Sequence, residues 1–441
     1  MKNNFKLLLV AGIATLTLPV LSSCGGTKAD YTLNIFNWED YIATGEDEDG
    51  NKVGKSTIEE FETYFYEKHQ KTIKVNYETF STNEDVYNQL KLNAIDADLI
   101  CPSDYMIQKM VKENMLEKFT RTDGEYDLIP NYNKYGSPYI KNLFDENNFS
   151  DYAIPYFWGT MGLTYNPNFN STITEDVNTW DILWNSKYKG AVTVKDSVRD
   201  TIFTAVLKVY KSELDTYKTQ FENGELTNKQ YNNKLVEVFN RCDDATLAKV
   251  EKELTSLKSN IFGLEVDDGK NDIISGKIAV NLAWSGDAVY SMDVAEEEND
   301  FQLNYAIPEE GSNIWFDGWV APKGAQMDLA SEFLDFISRP DIAAMNMEYT
   351  GYTSAIAGQE IWDLANDWYS SEEGDQVDLS YFFEGTLNEG VEAIITVSER
   401  DRQFDAQYPD EKTIARCAIM KDFGDQTEKV YQIWNNFKSS N

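Results

Sequence analysis

The sequence predicts an α/β protein with a parallel sheet that is covered by helices on both faces. Strand and helix patterns alternate over residues 31–101, which is the chain order of that fold class. The 441 residues are enough for two or three domains, and 42% of them are apolar, so each domain can bury a sizeable core. Ligands of such folds gather at the carboxyl ends of strands, and Ser103 and Tyr105 follow one of these ends.

The first strand and helix carry the clearest patterns. Residues 31–38 alternate with the period of a strand. Residues 56–68 place Ile58, Phe61 and Phe65 on one face, as an amphipathic helix does. In this region we also predict strands at 72–77 and 97–101 and a helix at 83–92.

A stretch rich in Gly, Pro and aromatic residues follows at 151–166, and we expect it to cross between lobes. The later elements continue the alternation of strands and helices. In order, we predict a strand at 191–194, a helix from Asp196 through Tyr210, one or two charged helices within 211–258 with a turn at 223–224, a buried strand at 278–284 and a helix at 329–337.

The amino terminus has the pattern of a bacterial export signal. A short basic start precedes the apolar run 7–20, which is too short to span a bilayer comfortably as a permanent helix. The run ends in Leu21-Ser22-Ser23-Cys24-Gly25, which resembles a lipobox. We therefore expect a signal over 1–23, a lipid on Cys24 and a tether over 24–30. An ordinary cleaved signal and an uncleaved anchor are the alternatives.

Composition argues against several classes of function. The net charge of −36 disfavours a nucleic-acid partner, which would need a basic face, and favours cationic partners. The chain has one histidine, His69, which lies in a polar run. Because histidine is the commonest general base and the commonest metal ligand, both roles lack their usual residue, and we expect neither a metal nor a cofactor. Apart from Cys24, Cys101 is expected to be a small buried hydrophobe, whereas nothing in the spacing of Cys242 and Cys417 requires the disulfide that they could form.

The stretch Ile314-Trp315-Phe316-Asp317-Gly318-Trp319 suggests a binding surface. In a strand, Trp315, Asp317 and Trp319 would share one face while Phe316 and Gly318 take the other. Indole, carboxylate and indole together suit an organic ammonium, because indole faces attract cations and a carboxylate accepts from N–H donors. The alternative is an ordinary core strand.

Six short motifs occur in order along the chain: Asn37-Trp38-Glu39-Asp40-Tyr41, Cys101-Pro102-Ser103-Asp104-Tyr105-Met106, Ile154-Pro155-Tyr156-Phe157-Trp158-Gly159-Thr160, Trp284-Ser285-Gly286-Asp287, Pro308-Glu309-Glu310-Gly311 and Trp315-Phe316-Asp317. Together they resemble the spermidine/putrescine-binding proteins of bacterial ABC importers. The resemblance implies a two-lobed periplasmic-binding-protein fold, each lobe a mainly parallel sheet flanked by helices, with the ligand in the cleft. We expect 31–155 and 317–360 to form lobe 1, and 156–316 and 361–441 to form lobe 2.

The resemblance also implies the site residues. An aromatic box of Trp38, Tyr41, Tyr105, Trp284 and Trp315 would grip the methylene chain and the ammonium faces, with polar contacts from Asp40, Ser103, Asp200, Asp287, Asp317 and Tyr352. The sequence departs from the family at Ser197, where spermidine binders usually have an Asp, and at Met420, which aligns with a Gln. The choice between putrescine and spermidine therefore stays open. The stretches 211–234 and 359–407 are longer than in the family.

These expectations describe a transport protein rather than an enzyme. The expected partners are a polyamine and the transmembrane subunits of an ABC permease, and a lipid anchor would hold a monomer at the extracytoplasmic face of the cell membrane. Three alternatives remain: the same fold binding an oligosaccharide or iron, a glycosidase with paired carboxylates, and a polyamine sensor without a transport role.

Overall fold

The computed structural model describes residues 28–46, 50–266, 268–299, 301–398 and 401–439, so the predicted signal and Cys24 lie outside the described residues. The strands are β1 Tyr31–Trp38, β2 Ile73–Phe80, β3 Leu99–Ile100, β4 Arg121–Thr122, β5 Glu125–Tyr126, β6 Ala153–Tyr165, β7 Val192–Lys195, β8 Gly263–Glu265, β9 Val280–Trp284, β10 Asn304–Ala306, β11 Ser312–Val320, β12 Thr353–Ser354, β13 Ser370–Asp378, β14 Ile394–Val397 and β15 Cys417–Ala418.

The α-helices are α1 Thr57–His69, α2 Asn83–Lys91, α3 Asp104–Lys112, α4 Pro130–Tyr135, α5 Pro138–Glu146, α6 Ile173–Asp176, α7 Val198–Glu222, α8 Asn228–Phe239, α9 Asp244–Lys258, α10 Asp268–Ile274, α11 Ser285–Asn299, α12 Met327–Ile337, α13 Pro340–Thr350, α14 Gln359–Tyr369, α15 Ser380–Phe383, α16 Arg402–Gln407, α17 Glu411–Ala415 and α18 Thr427–Ser439. Short 3-10 helices lie at Trp180–Trp184, Ser186–Tyr188 and Gly424–Gln426. Within the described ranges, no helix combines the length and the apolar character that crossing a membrane requires.

Parallel strands form both ends of one continuous sheet, in which eight strands follow the order β2-β1-β3-β11-β6-β9-β7-β8. At one end β1 is parallel to β2 and β3, and at the other β7 is parallel to β9 and β8. The long central strands β6 and β11 pair with each other in antiparallel fashion and are buried along their whole length. The stretch predicted to cross between lobes is therefore β6 itself.

Two large hydrophobic cores lie along the sheet, and β6 contributes side chains to both of them. The amino-terminal half of β6, up to Trp158, packs in the first core, whereas Met161 and Leu163 pack in the second. The strand β11 belongs to the first core, from Ile314 and Phe316 through Trp319 and Val320. The two parallel ends of the sheet are thus the two lobes, and β6 joins them.

The structure differs from the predicted lobe assignment near the carboxyl terminus. The sequence predicts 361–441 in lobe 2, but apolar side chains from Ile361 to Tyr408 pack in the first core. Met420 and the apolar face of α18 join the second core. The long addition at 359–407 thus enlarges lobe 1, where its Phe382 stacks on Trp158 with ring centroids 5.6 Å apart.

Local sequence signals account for the helix boundaries. Ser56 and Glu59 form a capping box at the start of α1. Helix α7 continues past the predicted Tyr210 to Glu222, and the predicted turn at 223–224 follows it. The second part of 211–258 then forms α8 and α9, with an N-cap at the start of each helix.

The cysteines of the described chain are thiols. Cys101 is fully buried in the first core, as the sequence predicts. Cys242 and Cys417 are free as well, so they do not form the disulfide that the sequence left open.

Candidate ligand-binding site

The site lies where parallel strands of both lobes end. The last residues of β1, β2, β3, β7, β8 and β9 are Trp38, Phe80, Ile100, Lys195, Glu265 and Trp284. In open α/β sheets, ligands bind in a crevice just outside the carboxyl ends of parallel strands. The loops and helix starts that follow the strands line this crevice. Most of the predicted site residues follow these ends or lie in the central strand β11.

Asp317 forms the centre of a polar cluster. The Tyr41 hydroxyl donates to Asp317 Oδ2 at 2.7 Å, and Ser103 forms a β-bridge with Asp317. Burial raises the pKa of Asp317 from 3.8 to about 6, although the hydroxyls of Ser103 and Tyr41 act in the opposite direction. Asp317 Oδ1 is buried and accepts no hydrogen bond from the described residues.

An aromatic wall extends from this cluster. The Tyr352 ring meets Tyr41 and Trp315 edge to face, with centroids 5.3 Å and 5.6 Å apart. The Trp315 indole N–H donates to the carbonyl of Thr160 at 3.2 Å, which fixes the ring plane. Gly286 permits this packing, since a Cβ there would lie 2.5 Å from the Tyr352 ring.

A second polar group bridges the two lobes. Asn83 Nδ2 donates to the hydroxyl oxygens of Ser103 and Tyr105 at 3.1 Å and 3.0 Å. The hydroxyls of Tyr105 and Tyr431 donate to the same oxygen of Glu84, at 3.2 Å and 2.9 Å. Because Glu84 lies in α2 of lobe 1 and Tyr431 in α18 of lobe 2, these bonds connect the lobes across the crevice.

Asp200 and Arg199 lie in the first turn of α7, with Ser197 as the N-cap. Burial raises the pKa of Asp200, and the Ser197 hydrogen bond and the charges of Lys195 and Arg199 reduce the rise. Burial also lowers the pKa of the Arg199 guanidinium to about 10, against the influence of Asp104 and Asp200. Arg199 is thus a buried cation beside two buried carboxyl groups.

Asp287 differs from the other acids, because cations of the chain already pair with it. Its Oδ2 lies 3.1 Å from Lys195 Nζ, and its Oδ1 lies 3.5 Å from Lys270 Nζ. Oδ1 also accepts from the Tyr352 hydroxyl at 2.9 Å. Burial acts to raise the pKa of Asp287, but Lys270 and Lys195 bring it below its ordinary value. Trp284 joins the same group, since Lys195 Nζ lies 4.4 Å from the centre of its ring.

Comparison with known proteins places the chain in a family. The family model for the bacterial extracellular solute-binding proteins matches residues 57–369. The chain belongs to this family. It is similar to the spermidine/putrescine-binding periplasmic protein of Escherichia coli, with 26% identity over 372 residues that cover 83% of this chain and 89% of the relative. The putrescine-binding periplasmic protein PotF of the same organism is 23% identical over 333 residues, covering 74% and 78%.

A solved structure agrees on the fold. The spermidine/putrescine ABC transporter substrate-binding protein of Streptococcus pneumoniae has 26% identity and a TM-score of 0.60, with 93% of this chain and 99% of that chain covered. The predicted two-lobed periplasmic-binding-protein fold is confirmed. The family consists of solute-binding proteins, so the prediction that this protein is not an enzyme is confirmed as well.

In this solute-binding protein, two of the predicted residues have their described contacts outside the Asp317 cluster. Trp38 packs against Phe80, with ring centroids 4.6 Å apart. Asp40 is exposed in a left-handed backbone conformation, and its charge adds to burial in raising the pKa of Tyr77. Ligand contacts of Trp38 and Asp40 therefore stay predictions.

The expectation that Trp319 shares the binding face is wrong. Trp319 is fully buried and packs against Tyr156 and Phe333, with ring centroids 5.1 Å and 5.9 Å apart. The register of β11 against β6 shifts between Phe316 and Gly318, so the simple alternation of faces does not continue through this point. Trp319 therefore lies in the core of lobe 1, beyond the place where the two lobes meet.

Sequence reasoning missed four charged residues of the site, which are Glu84, Asp104, Lys195 and Glu265. Asp104 is 1% exposed, and its Oδ2 accepts no hydrogen bond from the described residues. Burial raises the pKa of Asp104 well above its ordinary value. Asp104 stands between Ser103 and Tyr105 in one of the six motifs, so its position was visible in the sequence while its burial was not.

Proposed function

We propose that this protein binds a linear polyamine between its lobes and delivers it to the permease of an ABC importer. The observation that carries the proposal is a pair of buried carboxylate oxygens, Asp317 Oδ1 and Asp104 Oδ2, that accept no hydrogen bond from the described residues. A buried ionised carboxylate is costly unless a donor or a cation meets it. The ammonium groups of a polyamine supply both.

The charge balance of the site supports a cationic ligand. Its acids are Glu84, Asp104, Asp200, Glu265, Asp287 and Asp317, and the bases beside them in the described part of the chain are Lys195, Arg199 and Lys270. The acids outnumber the bases by three when all are ionised. Since the two lysines pair with Asp287 and Glu265, the excess falls on the other acids. Two or three ammonium groups would balance it.

The aromatic side chains supply the other half of polyamine recognition. Methylene segments between the amines need apolar walls, and ammonium groups are attracted to aromatic faces, by about 2 kcal/mol where the contact is desolvated. Tyr41, Trp315 and Tyr352 form such a wall beside Asp317, and all three rings are mostly buried. An oligosaccharide would also use aromatic platforms, but it has no positive charge to match the unpaired acids.

The relatives support the same class of ligand. Similar proteins that cover most of this chain bind spermidine and putrescine, or putrescine. Carboxylates at Asp317 and Asp200 and the aromatic rings at Tyr41, Tyr105, Trp284 and Trp315 are among the contacts that the sequence predicts. The polyamine would favour the closed arrangement of the lobes through contacts that it makes only there.

The proposed location is the extracytoplasmic face of the cell membrane. A lipid on Cys24 would tether the monomeric protein close to the permease, and the tether at 24–30 is short. A single lipid chain binds a membrane only marginally, so the anchor requires more than one acyl chain.

Calorimetric titration tests the proposal. The chain from Lys28 onward, which contains every described residue, would be titrated with putrescine and then with spermidine at moderate salt. Micromolar or tighter binding of either amine supports the function. Absence of heat with both amines would overturn the polyamine assignment and leave the fold unaffected, and a panel of sugars and peptides would then be titrated.

A further inference from the structure

A lysine of the chain occupies one end of the candidate site. Lys195 is the last residue of β7, its side chain is fully buried, and its Nζ lies 3.1 Å from both Glu265 Oε1 and Asp287 Oδ2. Nζ also donates to the carbonyl of Val266 at 2.7 Å and lies over the Trp284 ring. Burial lowers the pKa of Lys195, but Asp287 and Glu265 more than compensate, so the group is a firmly charged ammonium.

These contacts are the ones that the proposed function assigns to an amine of the ligand. Two carboxylates, a carbonyl and an indole face surround the Lys195 ammonium, as a polyamine site requires. Trp284 and Asp287 are both predicted from the sequence to contact the polyamine. In the structure both of them contact Lys195.

We infer that Lys195 takes the place of one ammonium of a longer polyamine and thereby restricts the cleft to short diamines. This inference rests on the proposed function. Lys195 extends from the end of β7, which lies between β9 and β8 in the sheet, whereas the ligand would enter between the lobes. An ammonium at Trp284 and Asp287 would meet a fixed positive charge and a carboxylate that is already paired, so a third amine has no favourable place there.

Two groups of acids remain for the ligand. The first is Asp317, beside the aromatic wall, together with Asp104, and each has a buried carboxylate oxygen that accepts no hydrogen bond from the described residues. The second is Asp200 with Glu84, whose charge acts to raise the pKa of Asp200. Arg199 lies beside Asp104 and Asp200, so the two groups together carry four acids and one base. A diamine places one ammonium at each group and its methylene chain along the rings between them.

The test compares a diamine with a triamine on the same protein. We expect the wild-type protein to bind putrescine at least about tenfold more tightly than spermidine in calorimetric titration. The Lys195→Met variant keeps the apolar stem and removes the charge, so the ratio of spermidine to putrescine affinity should rise at least about tenfold. The double variant Lys195→Met/Glu265→Gln loses one buried charge of each sign and keeps Asp287 as the acceptor, so it should change the ratio in the same direction even if the single variant does not fold.

Lys208→Met is the matched control. Lys208 also lies over an indole, with Nζ 5.0 Å from the Trp184 ring centre, and pairs with Asp181 at 2.7 Å, but it belongs to the middle of α7. The ratio of spermidine to putrescine affinity of the Lys208→Met variant should equal that of the wild-type protein. An unchanged ratio in the Lys195 variants, or wild-type binding of spermidine as tight as putrescine, would refute the inference alone. Failure of the wild-type protein to bind either amine would instead refute the proposed function.

Discussion

Replacing Asp317 with Asn should weaken ligand binding and strengthen the ligand-free fold. Losing one partner of a buried ion pair costs about 3 to 5 kcal/mol, which corresponds to roughly a hundredfold to a few thousandfold weaker polyamine binding. The ligand-free protein has the opposite response, because burial raises the pKa of Asp317 from 3.8 to about 6. That rise represents about 3 kcal/mol of penalty on the ionised carboxylate at pH 7, which the neutral Asn does not carry.

The pH dependence of this stabilisation follows from the sign of the pKa shift. A carboxyl group whose pKa is raised by folding stabilises the folded state at low pH and loses that contribution as the pH rises from 3.8 through about 6. The advantage of Asp317→Asn should therefore be about 3 kcal/mol at pH 7 and about half of that at pH 5. Tyr41 can still donate to the Asn carbonyl oxygen, so the hydrogen bond at 2.7 Å need not be lost.

Two measurements on the same samples test the expected effects of Asp317→Asn on putrescine affinity and on stability. Calorimetric titration with putrescine gives the loss of affinity, and urea unfolding at pH 7 and pH 5 gives the free energy of unfolding without ligand. Asp127→Asn is the control, since Asp127 is exposed and neither quantity should change. An Asp317→Asn variant that binds putrescine normally, or one that is destabilised equally at both pH values, would contradict the reasoning.

Three further predictions concern the ligand, the packing and the anchor. Putrescine affinity should fall by up to about tenfold per pH unit below pH 6, because the ammonium must displace a proton from Asp317, and calorimetry in buffers of different ionisation enthalpy should show proton release. Gly286→Ala should cost about 1 to 3 kcal/mol in urea unfolding by pushing the Tyr352 ring away, whereas Gly263→Ala, with no heavy atom within 4 Å of the added Cβ, should cost far less. Cys24→Ser should move the protein from the membrane fraction to the soluble extracytoplasmic fraction, and an unchanged membrane association would contradict the lipid anchor.

Much of the fold was predictable because its signals are local. Period-two alternation marks β1, and an apolar face with a Ser56 cap marks α1, so both elements match closely. The long β6 was expected only as a crossing, because its Gly and Pro residues disguise a strand whose pairing with β11 joins segments more than 150 residues apart. Likewise, the sequence does not show that Ile361 and Tyr408 pack in lobe 1, since that depends on distant partners.

The candidate site was predictable where family motifs mark it. The motifs supplied Tyr41, Ser103 and Asp317, and the structure brings these three together. They did not supply Lys195, because a Lys at the end of Val-Thr-Val-Lys has the pattern of an exposed strand terminus. Its burial depends on Glu265 and Asp287, which lie far along the chain from it.

The buried acids of the candidate site differ in whether a cation of the chain forms a salt bridge with them, and this decides which acids are available to a ligand. Asp287 and Asp317 are both buried, but the pKa of Asp287 is below its ordinary value and that of Asp317 is above it. The difference arises because Lys270 and Lys195 pair with the first and no cation of the described chain forms a salt bridge with the second. Lys270 and Lys195, the latter at the end of a strand, thus hold a carboxylate that would otherwise be available to a ligand. Substitution of Lys195 would then change the length of polyamine accepted while Asp317 and the aromatic wall stay the same.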